Sequence, residues 1–340
     1  MLIYDLVDPT ELQGYVRALE FDRFDLNQYL PDQNIDDIEY AFRRGTLVDQ
    51  DAAGYRAFDA ESPIGSRQGA SRVTGQLPPV SRKISLGEEE RLRLRQMQGG
   101  ATGALADAVY ADAANMARSV AARVELARGE ALHSGQVTLN ENGLSITVDF
   151  GVPGAHKVSA ATTWATTTGN DIIEEMLSWL ETYVDTTDGL QPEAMLTSTR
   201  VRNLIVRNDA VRNLAATVSG APAIVSQAVL DQVLSAYGLP PVRVNDAQVR
   251  VNGTATRVIP DDKLIFMPPS SEPLGDTFWG VTAESLELVG QGFLTSEEAP
   301  GITAVVEKTF DPVRTWTKAS AIVLPTIANP ELLFQADVIA

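Results

Sequence analysis

Between Leu105 and Ala131 the chain carries an apolar or small residue at positions 105, 109, 113, 116, 120, 124, 127 and 131, steps of four and three that fall on one stripe of an α-helix. At ~1.5 Å per residue such a stripe runs about 40 Å, longer than a small core needs, so other elements must attach along it. The helix is expected to span Thr102 to His133, with Gly135 as its stop. Upstream, Ala52 to Leu86 holds Gly54, Gly65, Gly69 and Gly75 with Pro63, Pro78 and Pro79 and only scattered large apolar residues. It cannot bury a core of its own and is expected to reach outward. Downstream, Val137 and Leu139, then Leu144, Ile146, Val148 and Phe150, alternate about Asn140-Glu141-Asn142-Gly143, which predicts a hairpin. An extended arm hinged to one long helix suits a protein that grips its neighbours.

At 340 residues the chain exceeds one typical core, and two packed units with appendages are expected. Hydrophobic residues at 44% and charged ones at 21% give a globular composition. No run approaches the roughly 18 apolar residues of a membrane span. The opening Met-Leu-Ile-Tyr-Asp has no basic segment ahead of an apolar one, so no secretory signal is expected, and assembly in a cytoplasm follows. The absence of cysteine excludes disulfides, thiolate metal sites and cysteine nucleophiles together.

A formal charge of −18 argues against tight binding to a phosphate backbone, which needs clustered Lys and Arg to release counterions. The charge is uneven. Met1 to Asp51 holds twelve acidic residues against four basic, whereas Ala52 to Leu86 holds Arg56, Arg67, Arg72, Arg82 and Lys83 against Asp59 and Glu61. A basic segment projected over an acidic surface of another copy would be steered into register by complementary fields; the alternative is a solvated arm.

Leu2 to Asp51 reads as an acidic, extended lead-in with at most a short helix. Gly87 precedes Glu88, Glu89 and Glu90, three carboxylates at the positive end of a helical segment that continues through Arg91, Arg93 and Arg95 before Gly99, Gly100 and Gly103 interrupt it. After a Thr-rich connector a second unit begins. Asp171 and Glu174 have capping-box spacing ahead of an amphipathic helix through Val184, and shorter helices are expected at Thr199–Val206 and Ser226–Tyr237. Strands are expected at Pro241–Val244, at Val249–Val258 folded about Asn252-Gly253, and at Leu264–Met267. The tail returns to strands at Ser285–Val289, Ile302–Val306, Ser320–Leu324 and Leu333–Val338.

No phosphate-binding loop, dinucleotide fingerprint, nucleophile elbow or H-E-x-x-H pair occurs. His133 is expected at the end of the long helix, where a cation favours the dipole, and His156 lies in a Gly-Pro-Gly loop; neither has an evident catalytic partner. Asp36, Asp37 and Glu39, or Asp22 with Asp25, could ligate a hard cation, but a solvated acidic face is the simpler reading. Trp164, Trp179, Trp279 and Trp316 are too widely spaced for a base-stacking platform, and core or interface roles are expected. No catalytic residue, metal site or cofactor is therefore assigned.

Gly14-Tyr15-Val16-Arg17, Leu30-Pro31 and Asp36-Asp37-Ile38-Glu39-Tyr40 resemble the amino-terminal arm of tailed-phage major capsid proteins related to the lambda capsid protein E family. Phe278-Trp279-Gly280, the run Asp311 to Ser320, and Ala328-Asn329-Pro330 resemble that family's carboxy-terminal strands. The collinear order resembles the Hong Kong 97-type capsid fold, an α+β architecture, across nearly the whole chain.

The resemblance implies an N-terminal arm over 1–51, an extended E-loop over 52–86, and a peripheral domain with spine helix and hairpin over 87–161. It further implies an axial domain over 162–280 and returning peripheral strands over 281–340. It implies a virion shell subunit that assembles with itself as hexamers and pentamers in the bacterial host cytoplasm and encloses double-stranded DNA without sequence-specific binding, with no catalysis, no cofactor and no membrane. Arg56, Arg67, Arg72, Arg82, Lys83, Glu88, Glu89 and Glu90 are the expected inter-subunit contacts. Because the arm starts almost at Met1, a separate scaffolding protein is expected, alongside a portal and a decoration protein at three-fold sites. Some relatives join an E-loop lysine to an asparagine; Lys83 and Asn329 are available here, although non-covalent stabilisation is preferred. Two alternatives stand beside the phage head: an encapsulin-type nanocompartment shell with the same fold, and a carboxylate-dependent metal enzyme using Asp36, Asp37 and Glu39.

Overall fold

The computed structural model describes residues 7–21, 24–44, 55–56, 71–97, 103–216, 220, 222 and 224–339. Helix α1 (Pro9–Arg17) starts on Asp8, whose carboxylate accepts from the N–H of Thr10 and Glu11, and is followed by strands β1 (Asp32–Asn34) and β2 (Glu39–Arg44). Strands β3 (Ser71–Gln76) and β4 (Pro79–Leu86) lead into helix α2 (Glu88–Met97) and the long helix α3 (Gly103–Ser134). Then come β5 (Gln136–Glu141), β6 (Leu144–Asp149), β7 (Lys157–Ser159), helix α4 (Ile172–Thr186) and β8 (Ala194–Thr197). Helices α5 (Thr199–Ile205), α6 (Asp209–Leu214) and α7 (Gln227–Ala236) precede β9 (Val242–Val244), β10 (Gln248–Val251), β11 (Thr254–Arg257), β12 (Lys263–Met267) and β13 (Gly275–Gly280). Helix α8 (Ala283–Gly290), β14 (Thr303–Phe310), β15 (Val313–Ile327) and β16 (Phe334–Asp337) close the chain.

Helix α3 forms where the stripe required it. Of its stripe positions, Val109, Ala113, Met116, Val120, Val124, Ala127 and Ala131 are all buried. The helix stops at Gly135, whose φ of +70° is a conformation glycine adopts without strain. The N-terminal half of α3 meets α1 and β14 through Leu12, Val16, Ala117 and Ala304, and its middle packs on β15 through Val120, Ala319, Ala321 and Val323. Its C-terminal half reaches a third cluster with Leu132, Val258, Ile265, Phe278 and Leu333, which joins both main sheets.

The first sheet runs β1-β13-β15-β14, with β4 also paired to β15, and the second runs β7-β16-β12-β8-β9. Strand β15 is 15 residues long and takes three partners: β14 along its first half, β13 along its second, and β4 opposite Thr315 to Ile322. The chain crosses between sheets twice near its end, since β13 pairs in the first sheet, after β12 in the second, and β16 returns to pair with β12 and β7. The second sheet buries the apolar face of α4, namely Ile172, Ile173, Met176, Trp179, Leu180 and Tyr183, against Phe266 and Phe334. Each such side chain contributes about 1.5–3 kcal/mol on leaving water. Both Asn-Gly turns form as expected, with φ positive at Asn142, Gly143, Asn252 and Gly253.

One expectation is corrected. Ser285–Val289 is not a strand but the body of α8: Thr282 Oγ1 accepts from Ser285 N–H and Ser285 Oγ accepts from Thr282 N–H, each at 3.1 Å, a reciprocal cap that nucleates a helix. The polar-apolar alternation that suggested a strand leaves Leu286 55% exposed, while Ser285 and Leu288, one helical step of three apart, are buried. Helix α6, capped by Asn208 Oδ1 on Ala210 N–H at 2.9 Å, and the buried strand β8 are additions to the expected elements.

Helix α3 lies close against the Val258 segment at Gly129, where a Cβ would stand 2.2 Å from the Val258 carbonyl oxygen. Gly129→Ala should therefore push the helix off that segment and cost about 1–3 kcal/mol as an overpacking change. Thermal unfolding checks it: a lowered midpoint is expected, and an unchanged one would mean that the contact is absent.

Candidate assembly surface

A buried guanidinium ties the lead-in to α3 and β13. Arg128, 6% exposed on α3, donates from Nε to Thr277 Oγ1 at 3.0 Å and from Nη1 to Glu125 Oε2 at 3.3 Å, while Nη2 donates to Asp32 Oδ1. Glu125 is fully buried, and its second oxygen accepts from Leu26 N–H at 3.0 Å. Asp32 Oδ1 also accepts from Trp279 Nε1 at 2.7 Å, and Thr277 Oγ1 donates to Leu30 O at 2.9 Å. Burial pushes the Glu125 carboxyl up, and the Leu26 N–H and the Arg128 guanidinium work against that rise. Three distant stretches of sequence thus converge: the lead-in at 26–34, the helix at 125–128 and strand β13. Asn245 adds a second tie, donating from Nδ2 to Asp25 Oδ1 at 2.8 Å.

From this anchored lead-in the chain turns out into a two-stranded antiparallel ribbon, β2 with β3, running from Glu39 opposite Gln76 to Arg44 opposite Ser71. Its root is fixed by Tyr40, buried and stacked on Phe278 with centroids 6.1 Å apart. Of the expected contact residues, Arg72 lies in β3, opposite Arg43. Arg56 is exposed beside Tyr55. Arg67 lies outside the described residues. Arg82 and Lys83 belong to β4 and so to the first sheet: Arg82 Nη1 donates to Ser119 Oγ on α3 at 3.2 Å, and Lys83 Nζ stands 4.8 Å from the Trp316 ring centroid. Glu88, Glu89 and Glu90 sit exposed in the first turn of α2, where Glu89 pairs with Arg93, and Arg91 Nη1 donates to Thr315 Oγ1 at 2.7 Å. Arg82 and Lys83 therefore lie in the first sheet and Glu88, Glu89 and Glu90 in α2, outside the β2–β3 ribbon.

Beside the Arg128 tie lies a groove of about 720 Å³, bounded by the lead-in, α3 and the segment entering β14. Its floor is apolar, with Leu19, Phe21, Phe24, Val124, Trp279 and Ile302. Its rim carries Arg17, Glu20, Glu297 and Glu298, of which Arg17 and Glu298 pair at 3.6 Å. Glu20 and Glu297 are exposed and make no ion pair among the described residues. No signal in the sequence marked this groove, because its walls come from three separate stretches of sequence, 16–34, 121–128 and 279–302.

The residues weighed for catalysis are dispersed. Desolvation and the nearby Lys263 hold the His133 pKa down to about 4, so the cation expected at the helix end is corrected to a neutral imidazole at neutral pH. His156 is fully buried between Tyr183 and Phe334, donates from Nδ1 to Leu333 O at 3.1 Å, and has its pKa lowered by burial. Asp37 Oδ1 accepts from its neighbours' N–H groups at Ile38 and Glu39, a local turn bond. Among the described residues no three His, Asp or Glu side chains are grouped to hold a metal ion; Asp22 lies outside them. Trp164 and Trp179 stack on each other in the core at 5.8 Å. Asn329 Nδ2 donates to Pro273 O at 2.9 Å. No helix among the described residues is long and apolar enough to cross a membrane.

Comparison with known proteins completes the description. Residues 48–338 match the sequence profile of the family described as phage major capsid protein E. The fold is similar to that of a candidate capsid protein from a prophage of Escherichia coli CFT073, at a TM-score of 0.61 and 14% identity over 99% of each chain. It is similar also to a phage-related protein of Bordetella bronchiseptica RB50, at 0.57 and 12% identity over 97% of this chain and 96% of that one. The capsid of an empty GTA particle gives 0.51 at 12% identity, covering 95% of this chain and 92% of that one. No curated protein matches the sequence. The architecture is the Hong Kong 97-type capsid fold.

Removing one member of a buried ion pair leaves an uncompensated charge, typically a loss of about 3–5 kcal/mol. Arg128→Ala, which strands the fully buried Glu125, should be destabilising by that order. Asp32→Asn should cost clearly less, because the Asp32 side chain is half exposed. Urea unfolding of both variants checks the ranking; equal losses would contradict it.

Proposed function

The chain belongs to the phage major capsid protein E family and is a phage major capsid protein, and from that premise we propose how it builds its shell. A closed icosahedral shell needs head-to-tail contacts that close around both five-fold and six-fold positions, so identical chains must meet at more than one angle. The two sheets tied to α3 supply the part that stays constant, and the β2–β3 ribbon supplies the part that adjusts. In this reading the ribbon is the E-loop stem, α3 the spine of the peripheral domain, and the α4–α7 unit on the second sheet the axial domain at the capsomer centres. Hexamers and pentamers form first and then close into the head of a tailed phage in the bacterial host cytoplasm. A scaffolding protein directs closure, a portal takes one vertex, and a decoration protein stabilises three-fold sites.

The observation that carries the proposal is a basic ribbon on a subunit whose formal charge is −18. Arg72 lies in the ribbon, Arg56 and Arg67 fall between its strands, and Arg82 and Lys83 follow in β4, whereas the lead-in is acidic. A cationic arm over an anionic neighbour orients the encounter before apolar contacts form. The same excess of negative charge lets an inner wall confine double-stranded DNA without adhering to it.

Electron microscopy of the purified chain, expressed alone and beside its genomic neighbours, is expected to reveal closed shells or capsomer rings. The Arg67→Glu, Arg72→Glu, Arg82→Glu variant is expected to assemble poorly while its circular dichroism stays unchanged. Normal shells from that variant would remove the electrostatic role of the arm, and monomers of the unaltered chain under every condition would remove the shell reading itself.

A further inference from the structure

The groove beside Arg128 combines an aromatic floor with uncommitted carboxylates on its rim. At about 720 Å³ it falls within the roughly 300–1,000 Å³ of small-molecule sites. Phe21 and Phe24 are half-buried with ring centroids 6.4 Å apart, and the indole N–H of Trp279 is already donated to Asp32, so these rings offer a ligand their apolar and π surface. The rim is negative. Of the ionisable groups that line the groove, Glu20, Asp32, Glu297 and Glu298 stand against Arg17 and Arg128. Arg17 is committed to Glu298, and Arg128 to Asp32 and Glu125. That leaves Glu20 on the lead-in and Glu297 on the segment entering β14, both exposed and neither in an ion pair among the described residues.

These features select a ligand by its chemistry. An anion is repelled by the rim, and a neutral apolar molecule leaves both free carboxylates unmatched. A hard metal ion takes converging oxygen ligands, and among the described residues no three carboxylate or imidazole groups gather to hold one. An elongated organic cation matches on both counts. Alkyl amines, like the lysine side chain with its pKa of about 10.4, are protonated at neutral pH. Methylene groups between them cover an apolar floor as a lysine stem does, and an ammonium over an aromatic face gains cation–π attraction. The two free carboxylates stand on different walls of the groove, which suits a charge at each end of the ligand. We propose that the groove between the lead-in and α3 binds a linear aliphatic polyamine, its methylene stem lying over Phe24 and Trp279 and its terminal ammonium groups meeting Glu20 and Glu297. This site does not depend on the shell reading above, and either can fail while the other stands.

Equilibrium dialysis of the purified full chain against labelled spermidine, at neutral pH and fixed ionic strength, tests it. One site per subunit is expected, with spermidine held at least tenfold more tightly than butylamine, which has a single charge, and than magnesium ion, which has no stem. Glu20→Gln combined with Glu297→Gln is expected to weaken spermidine binding at least tenfold, whereas the charge-matched pair Glu174→Gln and Glu181→Gln, exposed on α4, should leave it unchanged. Equal losses in the two pairs, or magnesium bound as tightly as spermidine, would mean that only the net charge of −18 is felt and would overturn the site. No retention of spermidine at millimolar concentration would overturn it as well. A peptide of alternating lysine and leucine that binds at least tenfold more tightly than spermidine, and loses that advantage in the Glu20 and Glu297 variant, would overturn it in favour of a protein partner. If that variant fails to fold, as circular dichroism would reveal, the ranking of spermidine, butylamine and magnesium on the unaltered chain still decides.

Discussion

Arg128 is the constraint on which the rest of the subunit depends. A guanidinium taken out of water is costly unless its donors and counter-charges are met, and here Nε, Nη1 and Nη2 each have a named acceptor. The acceptors come from the same helix, from the lead-in and from β13, so the charge is satisfied only when all three elements are in register. That gives the acidic lead-in, whose Leu26 and Leu30 are buried beside the tie, a defined path across α3 and into β1, parallel to β13. The ribbon root at Tyr40, the direction in which β2 leaves the body and the groove beside α3 all follow from that path.

A shell subunit must combine rigidity with variable contacts, and these lie in different parts of the chain. Helix α3 is packed along its length by three apolar clusters, and its close approach to Val258 at Gly129 leaves little freedom between the two units. The ribbon, by contrast, is a separate two-stranded element whose root at Tyr40 is held in the core and whose strands otherwise pair with each other. Charge follows the same division, with basic residues concentrated on the arm and acidic ones on the lead-in and the groove rim.

Much of the fold was legible because it is written in local periodicity. The stripe from Leu105 to Ala131 located α3, Asn142-Gly143 and Asn252-Gly253 located two hairpins, and Asp171 located the start of α4. Short or doubly buried elements were not legible in this way: β8 has neither alternation nor length, and α8 hides its helical face behind an alternating Ser-Leu-Glu-Leu run that only the Thr282–Ser285 cap resolves. The candidate surface was legible by composition but not by partner. Glu125 and Arg128 look like an ordinary surface pair three residues apart. They are two of four charges in the run from Val120 to Ala131, with Arg123 and Glu130, and nothing in that run names Asp32 or Thr277 nearly a hundred or more residues away. Family resemblance reached the architecture by another route, through the order of segments, and residues 48–338 carry that family's profile.

The most direct measurement is a cryo-electron microscopy reconstruction of assembled particles at a resolution that separates side chains. The account expects the Arg128–Asp32–Glu125 tie and the two sheets to be the same in subunits at five-fold and six-fold positions, with the differences gathered in the β2–β3 ribbon. Subunits that change position by repacking α3 against the sheets, with the ribbon fixed, would contradict it.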